Sequence, residues 1–457
     1  GLAGAGASSG MAMAHWEIQG WMILILGWVF VPFYTRSMVY TMPEFLERRY
    51  NPQSRTILSV ISLVSYVLTK VAVTVYAGGL VFQQVFGIKE LWGIDFFWIA
   101  AIGLVVLTAL YTIFGGMKSV LYTSVLQTPI LLLGSLIILV LGFKELGGWD
   151  EMMRVCGAVT GNDYGDTMTN LIRSNDDANF PWLGALIGSA IIGFWYWCTD
   201  QFIVQRVLSG KNEMEARRGT IFGAYLKLLP VFLFLIPGMI AFALHQKYIG
   251  AGGEGFLPML ENGTANADAA FPTLVAKLLP AGVKGLVVCG ILAALMSSLA
   301  SLFNSSAMLF TIDFYKRFRP QTSEKKLVGI GQVATVVIVI LGILWIPIMR
   351  SVGDVLYTYL QDVQSVLAPG IAAAFLLGIC WKRTSAQGGM WGLISGMVIG
   401  LTRLGAKVYY SNAGEVADST FKYLFYDMNW LFFCGWMFLF CIIVVIVVSL
   451  AKEAPTA

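Results

Sequence analysis

The chain has 457 residues, of which 57% are apolar and 12% are charged, and its formal net charge is +4. Soluble domains carry about 25% charged residues, so this composition excludes a soluble protein and indicates an integral membrane protein. Only Cys156 of the six cysteines lies in a polar loop. No disulfide framework can therefore form outside the membrane.

Twelve apolar segments follow one another along the chain, and a run of about 20 apolar residues crosses a bilayer as a helix. All should be helical, because a backbone that faces lipid must satisfy its own hydrogen bonds. No initiator methionine, basic region or cleavage site marks a signal peptide at the start, and we expect the chain to begin inside a helix with further chain upstream. The predicted segments are 1–14, 17–36, 56–86, 95–114, 118–143, 183–208, 219–245, 280–312, 327–348, 355–380, 388–408 and 428–451.

The loops between these segments alternate in charge. Most lysines and arginines lie in loops 47–55, 209–218, 315–326 and 380–385, which fall on one side of the membrane by segment parity. The positive-inside rule makes that side cytoplasmic. The acidic loop 144–180 separates the first five segments from the next five. An odd number of segments in each half inverts the second half relative to the first, which suits an alternating-access transporter with a site at the membrane midplane.

Ionisable residues inside apolar segments are functional candidates because of their cost in hydrocarbon, and four of them stand out. They are Glu17, Lys70, Asp200 and Lys227, and the sequence shows no partner for any of them. In an alternative interpretation, Glu17 and Asp200 lie near the membrane interface and Lys70 snorkels towards it. Lys227 sits several residues into its segment, which favours a role in a solute site.

The eighth segment contains hydroxyl groups on one helical face, at Ser297, Ser298 and Ser301. Serine in membrane helices commonly bonds the carbonyl four residues back or permits close helix packing. The alternative is a binding site for a hard monovalent cation, to which hydroxyl and carbonyl oxygens offer ligands without a formal charge. Ala294 would then add a carbonyl, and a second, broken helix would supply the remaining ligands.

The sixth segment carries three consecutive aromatic residues, Trp195, Tyr196 and Trp197. Such rings stack on the apolar faces of sugars, and Tyr and Trp also donate hydrogen bonds. Trp and Tyr are also common at membrane interfaces for unrelated reasons. The aromatic run alone is therefore a weak indication of a sugar site.

Several long stretches of the chain are collinear with those of one known family. They are GLAGAGASSG (1–10), VYTMPEFLERRY (39–50), ALYTIFGG (109–116), WYWCTDQFIVQR (195–206), GAYLKLLPVF (223–232), LMSSLASLFNSSAMLFTIDFY (295–315) and FLLGICWKR (375–383). These stretches resemble the sodium/solute symporter family and, within it, the sodium/glucose cotransporter branch.

The resemblance covers essentially the whole chain and implies an all-α integral membrane protein with the LeuT-like fold. In this fold two inverted five-helix repeats form the core. The first repeat would occupy 1–143 without its N-terminal part, an extracytoplasmic loop 144–182, the second repeat 183–380, and two accessory helices 388–451. The family also has a further helix, and the first half of core helix one, ahead of Gly1.

The resemblance also assigns roles to single residues. The family's sugar-contacting acid matches Glu17, its lysine matches Lys227, and its glutamine in the tenth segment matches Gln361. The aromatic residue that lies beneath the sugar and closes the inward path matches Tyr196, with Trp197 beside it. These five residues form the predicted substrate-binding set.

The gates and the sodium site follow from the same comparison. Tyr196 acts as a gate in addition to its place in the substrate set. The outer-gate positions match Leu2, Trp16 and Tyr357, and the shared sodium site matches Ala294, Ser297 and Ser298. The hydroxyl-bearing face of the eighth segment is therefore interpreted as half of a cation site.

The sequence departs from the family pattern at three positions. Relatives that move two sodium ions place an acidic residue where this chain has Ser124, and a threonine where it has Ala300, although Ser301 follows. At position 193, relatives have a polar residue that contacts the sugar, whereas this chain has Gly193. These departures predict one sodium ion per sugar and leave one sugar contact unaccounted for.

The expected function is sodium-coupled uptake of a neutral hexose, such as glucose or galactose, by alternating access across a bacterial inner membrane or plasma membrane. The alternatives are a polyol such as myo-inositol as the substrate, or a sugar-responsive sensor or channel on the same fold. An enzyme is not expected, because the only histidines are His15 and His245 and no catalytic triad or metal-ligand cluster is evident. No nucleic-acid partner is expected, and the oligomeric state is open.

Overall fold

The structure is a computed structural model that describes residues 1–39, 41–159, 165–260, 263–352, 355–412 and 418–452, with their side chains except at 111, 113–121, 123, 126, 350–352 and 412. Most of these residues are helical. Within them, nine helical stretches are long and apolar enough to cross a bilayer. One short hairpin pairs β1 (Glu90–Leu91) with β2 (Ile94–Asp95).

In the described part of the chain up to residue 159, nine helices are present. They are α1 (Leu2–Ser9), α2 (His15–Ile18), α3 (Gly20–Ile25), α4 (Val31–Ser37), α5 (Met42–Arg49), α6 (Pro52–Ser65), α7 (Ala72–Phe86), α8 (Phe96–Leu146) and α9 (Trp149–Gly157). A 3₁₀ turn, Gly10–Ala14, separates α1 from α2. Gly10 has a φ of 69°, and a Cβ atom there would lie 2.1 Å from the carbonyl oxygen of Met168. Only glycine fits this break in the helix.

Twelve further helices lie in the described residues from 165 onward. They are α10 (Trp182–Gly193), α11 (Gln201–Leu208), α12 (Glu213–Leu226), α13 (Ile236–Gly250), α14 (Ala270–Leu278), α15 (Ala281–Met308), α16 (Lys316–Phe318), α17 (Glu324–Val352), α18 (Leu356–Cys380), α19 (Ala386–Asn412), α20 (Thr420–Lys422) and α21 (Trp430–Leu450). A short 3₁₀ turn, Ala267–Ala269, precedes α14. Of the nine apolar stretches, α18 is the most enclosed by the rest of the protein. This enclosure places its polar residues in the interior.

Six π-helical turns occur among the residues that the structure describes, most of them next to long helices. They are Leu26–Phe30, Tyr66–Val71, Phe194–Thr199, Val231–Leu235, Leu309–Tyr315 and Tyr423–Asp427. Such turns often occur at functional sites, because the extra residue changes the direction of side chains and backbone groups. Tyr66–Val71 carries Lys70, and Phe194–Thr199 carries Tyr196 and Trp197. The candidate residues of two segments thus lie on irregular turns.

Helix α8 differs from the sequence prediction. The prediction of separate segments 95–114 and 118–143 is wrong for the backbone, which continues as one helix of 51 residues. At about 1.5 Å per residue α8 is about 77 Å long, which is more than one crossing of an apolar layer of about 30 Å. Membrane helices tolerate glycine where neighbouring helices support them. Here α15 packs along α8, with Ser297 beside Ser124 and Gly290 close to Ile130.

Three of the four basic loops meet at one end of the protein, as segment parity predicts. The Nη1 atom of Arg49 donates a hydrogen bond to the carbonyl of Thr384 at 3.2 Å. Likewise, the Nη1 atom of Arg317 donates to the carbonyl of Pro52 at 2.8 Å. These contacts confirm that the first, third and fourth basic loops share a side.

Candidate functional site

A cavity of about 310 Å³ lies inside the helix bundle, within the range of about 300–1,000 Å³ typical of small-molecule sites. Its walls come from the α2–α3 junction, the π-turn before α11, the end of α12 and the start of α18. All five predicted substrate residues line it, together with two predicted gate residues. These seven are Trp16, Glu17, Tyr196, Trp197, Lys227, Tyr357 and Gln361.

The polar centre of this cavity is an ion pair between Glu17 and Lys227. The hydroxyl of Tyr357 donates a hydrogen bond to Oε1 of Glu17 at 3.1 Å. The Glu17 side chain is 3% exposed and that of Lys227 is 20% exposed, so the protein encloses most of both groups. A buried carboxylate requires such partners. Together they offer an acidic acceptor and a basic donor to a hydroxyl-bearing solute.

Aromatic rings form another part of the wall. The ring centres of Tyr196 and Trp197 lie 4.9 Å apart at an interplanar angle of 83°. The Nζ atom of Lys227 lies 5.7 Å from the Trp197 ring centre. Trp16 is buried and stacks on Trp430 at 5.4 Å. The cavity therefore combines flat apolar faces with hydrogen-bonding groups, which is the combination that sugars require.

Two of the three predicted sodium-site residues line a second cavity, and the third lies outside it. Ala294 and Ser298 line a second cavity of about 250 Å³, together with Leu2. Ser297 lies outside this lining, and its Oγ atom lies 2.7 Å from Oγ of Ser124. The structure thus brings two of the three residues into one cavity and adds Ser124 next to the third. Leu2 lines this second cavity and not the first.

An arginine contacts the same turn of α15. Arg206 donates hydrogen bonds to the hydroxyl of Ser301 and, at 3.4 Å, to the carbonyl of Ser297. Ser301 also donates to the Ser297 carbonyl at 3.0 Å, so it bonds the carbonyl four residues back. The carbonyl of Ala300 accepts a hydrogen bond from Asn304 at 3.0 Å. The Ser301 hydroxyl and the carbonyls of Ser297 and Ala300 are therefore already hydrogen-bonded within the protein, and the positive charge of Arg206 lies beside them.

A second buried charge cluster involves the π-turn that carries Tyr196. Lys70 forms an ion pair with Asp200, and their side chains are 7% and 3% exposed. The hydroxyl of Tyr66 donates to Oδ1 of Asp200 at 2.8 Å, and the Nζ atom of Lys70 lies 4.8 Å from the Tyr196 ring centre. The snorkelling interpretation of Lys70 is therefore wrong, because its ammonium group is paired inside the protein with Asp200.

Comparison with known proteins identifies the family. Residues 1–396 match the Sodium:solute symporter family. The chain belongs to this family. Its fold is the LeuT-like fold of sodium/solute symporters, and it is an integral membrane protein with several spans.

Two curated relatives and one solved structure illustrate the similarity. The chain is 38% identical to human "Sodium/myo-inositol cotransporter 2" over 88% of its own length and 61% of that protein. It is 37% identical to rabbit (Oryctolagus cuniculus) "Sodium/glucose cotransporter 1" over 100% of its length and 70% of that protein. It thus spans about two thirds of the length of these relatives.

The solved structure is that of a Na⁺-coupled sialic acid symporter, described as a substrate-bound outward-open state. The match has a TM-score of 0.71 and covers 99% of this chain and 86% of that one, with 20% sequence identity. At this identity the likeness concerns the fold alone. It agrees with the family assignment made from sequence.

In the present chain, three polar residues near the candidate sites were missed or left unassigned by the sequence analysis. Gln19 and Gln364 line the first cavity, and Ser124 lies beside Ser297. Gln364 follows Gln361 by three residues, so the two share a helical face, and this spacing was the available signal. The resemblance already grouped Ser124 with Ala300 of α15 as second-site positions, but the contact of Ser124 with Ser297 arises from helix packing and had no signal in the sequence.

Proposed function

We propose that this symporter takes up a neutral hexose, such as glucose or galactose, together with sodium by alternating access. The observation that carries the proposal is the first cavity, which is lined by both the Glu17–Lys227 pair and the ring of Tyr196. Hydroxyl groups can accept from the ammonium and donate to the carboxylate. The aromatic ring offers an apolar face to the sugar ring.

Two features support a neutral substrate. The cavity contains one carboxylate and one ammonium group, which already neutralise each other, so an anionic solute would find no unpaired cation in its described lining. Amide groups from Gln361 and Gln364 extend the set of donors and acceptors. Both relatives are named as cotransporters, which supports transport over an enzymatic reaction.

A polyol such as myo-inositol is the second candidate, because the human relative is named as a sodium/myo-inositol cotransporter. An inositol offers ring hydroxyls like those of a hexose. Uptake of labelled glucose, galactose and myo-inositol into proteoliposomes separates the candidates. We expect accumulation of a hexose when an inward sodium gradient is imposed and none with potassium. Accumulation of myo-inositol alone would support the second candidate, and sodium-independent uptake would contradict symport.

We propose that sodium binds at Ala294 and Ser298, with Ser297 beside them, where hydroxyl and carbonyl oxygens replace part of its hydration shell. Sodium must favour the sugar-competent state, and by linkage the sugar must raise sodium affinity equally. Ser298→Ala removes one oxygen ligand, at about 1 kcal/mol or about fivefold in affinity. The sodium concentration for half-maximal uptake should rise by about that factor.

Ser306→Ala is the matched control for Ser298→Ala. Ser306 lies on the same helix, is 1% exposed, and has a hydroxyl without a hydrogen-bond partner among the described residues. Its replacement should leave the sodium dependence of uptake unchanged. An unchanged sodium dependence in Ser298→Ala as well would exclude Ser298 as a ligand.

We also propose a stoichiometry of one sodium ion per sugar. The second-site positions hold Ser124 and Ala300, so this region lacks a carboxylate and one hydroxyl. The guanidinium of Arg206 hydrogen-bonds to Ser301 beside them, and its positive charge opposes a second cation. Too few ligands remain to offset dehydration of sodium.

The ratio of charge to sugar flux tests this stoichiometry. A membrane potential of about 100 mV adds about 2.3 kcal/mol per transported charge, so one coupled ion gives much lower maximal accumulation than two. Reversal potentials across set sodium and sugar gradients should give a ratio near one. A ratio near two would contradict the proposal. Ser124→Asp combined with Ala300→Thr is the variant expected to raise the ratio.

A further inference from the structure

Gln19 is one of two polar side chains in the lining of the first cavity to which the sequence analysis assigned no role, and Gln364 is the other. It is 5% exposed and lines the cavity together with Glu17 and Tyr196. Its Nε2 atom is buried and has no hydrogen-bond partner among the described residues. Buried side-chain donors nearly always have a partner. A donor left unpaired at the wall of a cavity is therefore placed to bond a ligand.

The position of Gln19 depends on a glycine in a neighbouring helix. A Cβ atom at Gly193 would lie 2.8 Å from Oε1 of Gln19 and 3.1 Å from Cγ of Met22. Gly193 has φ −62° and ψ −42°, an ordinary helical conformation that any residue adopts. The backbone does not require glycine here, but the space that the Gln19 amide occupies does.

Gln19 and Gly193 also lie close in sequence to residues that line the cavity. Gln19 follows Glu17 by two residues at the α2–α3 junction, and Gly193 precedes Tyr196 by three residues at the end of α10. The amide of Gln19 therefore lies where the expected contact at position 193 is missing. The polar group is supplied by a different helix.

We infer that Gln19 contacts the substrate, and that its amide hydrogen-bonds one ring hydroxyl and makes that hydroxyl a requirement for transport. The inference rests on the proposed function, since it takes a polyhydroxylated solute as the ligand. An amide offers both a donor and an acceptor, as a hydroxyl does. An analogue without the hydroxyl leaves the buried amide unpaired and is rejected.

Deoxy analogues identify the contact. Uptake in proteoliposomes is measured for glucose and its monodeoxy analogues, and for myo-inositol and its monodeoxy analogues, in the unmodified protein and in Gln19→Leu. In the unmodified protein we expect one deoxy position to raise the apparent KM by about tenfold or more. In Gln19→Leu this discrimination should disappear at that position and remain at the others.

Gly193→Ala tests the same contact and leaves the Gln19 side chain itself unchanged. The added methyl group should displace the Gln19 side chain and reproduce the loss of discrimination seen in Gln19→Leu. In a Gln19→Ala background the same substitution should have no further effect, because the displaced group is absent. Gly103→Ala is the matched control, since a Cβ at Gly103 has no atom within 4 Å.

Two results would overturn the inference. One is an unchanged pattern of discrimination in Gln19→Leu, and the other is an equal loss for every analogue, which a purely structural role would cause. Failure of the proposed function is recognised separately, because the unmodified protein would then transport none of these solutes and the inference would fall with it. Circular dichroism and size-exclusion profiles show that each variant is folded before its uptake is compared.

Discussion

Lys227→Ala is expected to abolish sugar uptake almost completely in a protein that still folds. The substitution leaves the Glu17 carboxylate buried, with its hydrogen bond from Tyr357 but without its cation. It also removes the donor to a substrate hydroxyl. Leaving a buried partner unmatched costs about 1–3 kcal/mol for a neutral group and more for a charged one. This corresponds to a loss of about fivefold to more than a hundredfold for a neutral partner, and of more for a charged one.

The measurement is initial uptake under an inward sodium gradient, normalised to the amount of folded protein. Lys407→Ala is the matched control, because Lys407 pairs with Asp362 at a similar exposure, 18% for the lysine, and does not line the cavity. The control should retain most uptake. Near-normal uptake in Lys227→Ala would assign Lys227 to a structural role. Within the same cavity, Glu17→Gln and Gln361→Ala should give smaller losses, mainly in apparent affinity.

The substrate set could be predicted from the sequence because each residue lies in a distinctive stretch. Lys227 lies in GAYLKLLP and Tyr196 in FWYWCTDQ, and an ionisable or aromatic residue in such a context stands out from its apolar neighbours. The structure gathers both into one cavity with Glu17 and Gln361. Their assembly in space supports the prediction, while their roles in transport stay predictions.

The pairing of charges could not be predicted. Glu17 and Lys227 are separated by 210 residues along the chain, and Lys70 and Asp200 by 130. No local pattern joins such positions, because only the packing of helices decides which polar groups meet. The importance of Gln19 could not be predicted for the same reason, because it depends on the absence of a side chain at Gly193 in another helix.

Helix α8 shows a different limit of sequence reasoning. The glycines at 115 and 116 and the neighbouring polar residues favour a break between two segments, and hydropathy cannot tell a loop from a continued helix at such a point. The backbone remains helical through both glycines. Propensity is a weak signal where neighbouring helices stabilise the backbone.

The second large effect is expected at the Lys70–Asp200 pair, which joins the π-turn Tyr66–Val71 to the start of α11. Asp200 also accepts hydrogen bonds from the Tyr66 hydroxyl at 2.8 Å and from the backbone N–H of Phe202 at 3.1 Å. Lys70→Met leaves this carboxylate buried without its cation, and Asp200→Asn leaves the ammonium without its anion. Breaking a buried pair in this way costs about 3–5 kcal/mol. Each single variant should therefore unfold at a clearly lower temperature in detergent.

The double variant Lys70→Met, Asp200→Asn separates lost charge pairing from lost packing. Removing both charges together avoids an unpaired buried ion, so the double variant should be more stable than either single variant. The amide introduced by Asp200→Asn keeps an oxygen acceptor for the Tyr66 hydroxyl, so that hydrogen bond survives. If the double variant unfolds below both single variants, the pair acts through packing and not through charge.

The pair of Asp418 and Lys422 is the control for these variants, because the Asp418 side chain is 95% exposed. Asp418→Asn should change the unfolding temperature little, since ion pairs in contact with solvent contribute little to stability. Uptake gives a second measurement. The Lys70 ammonium also faces the ring of Tyr196 in the wall of the first cavity. The single variants should therefore lose sugar uptake even at temperatures where they remain folded, whereas Asp418→Asn should retain it.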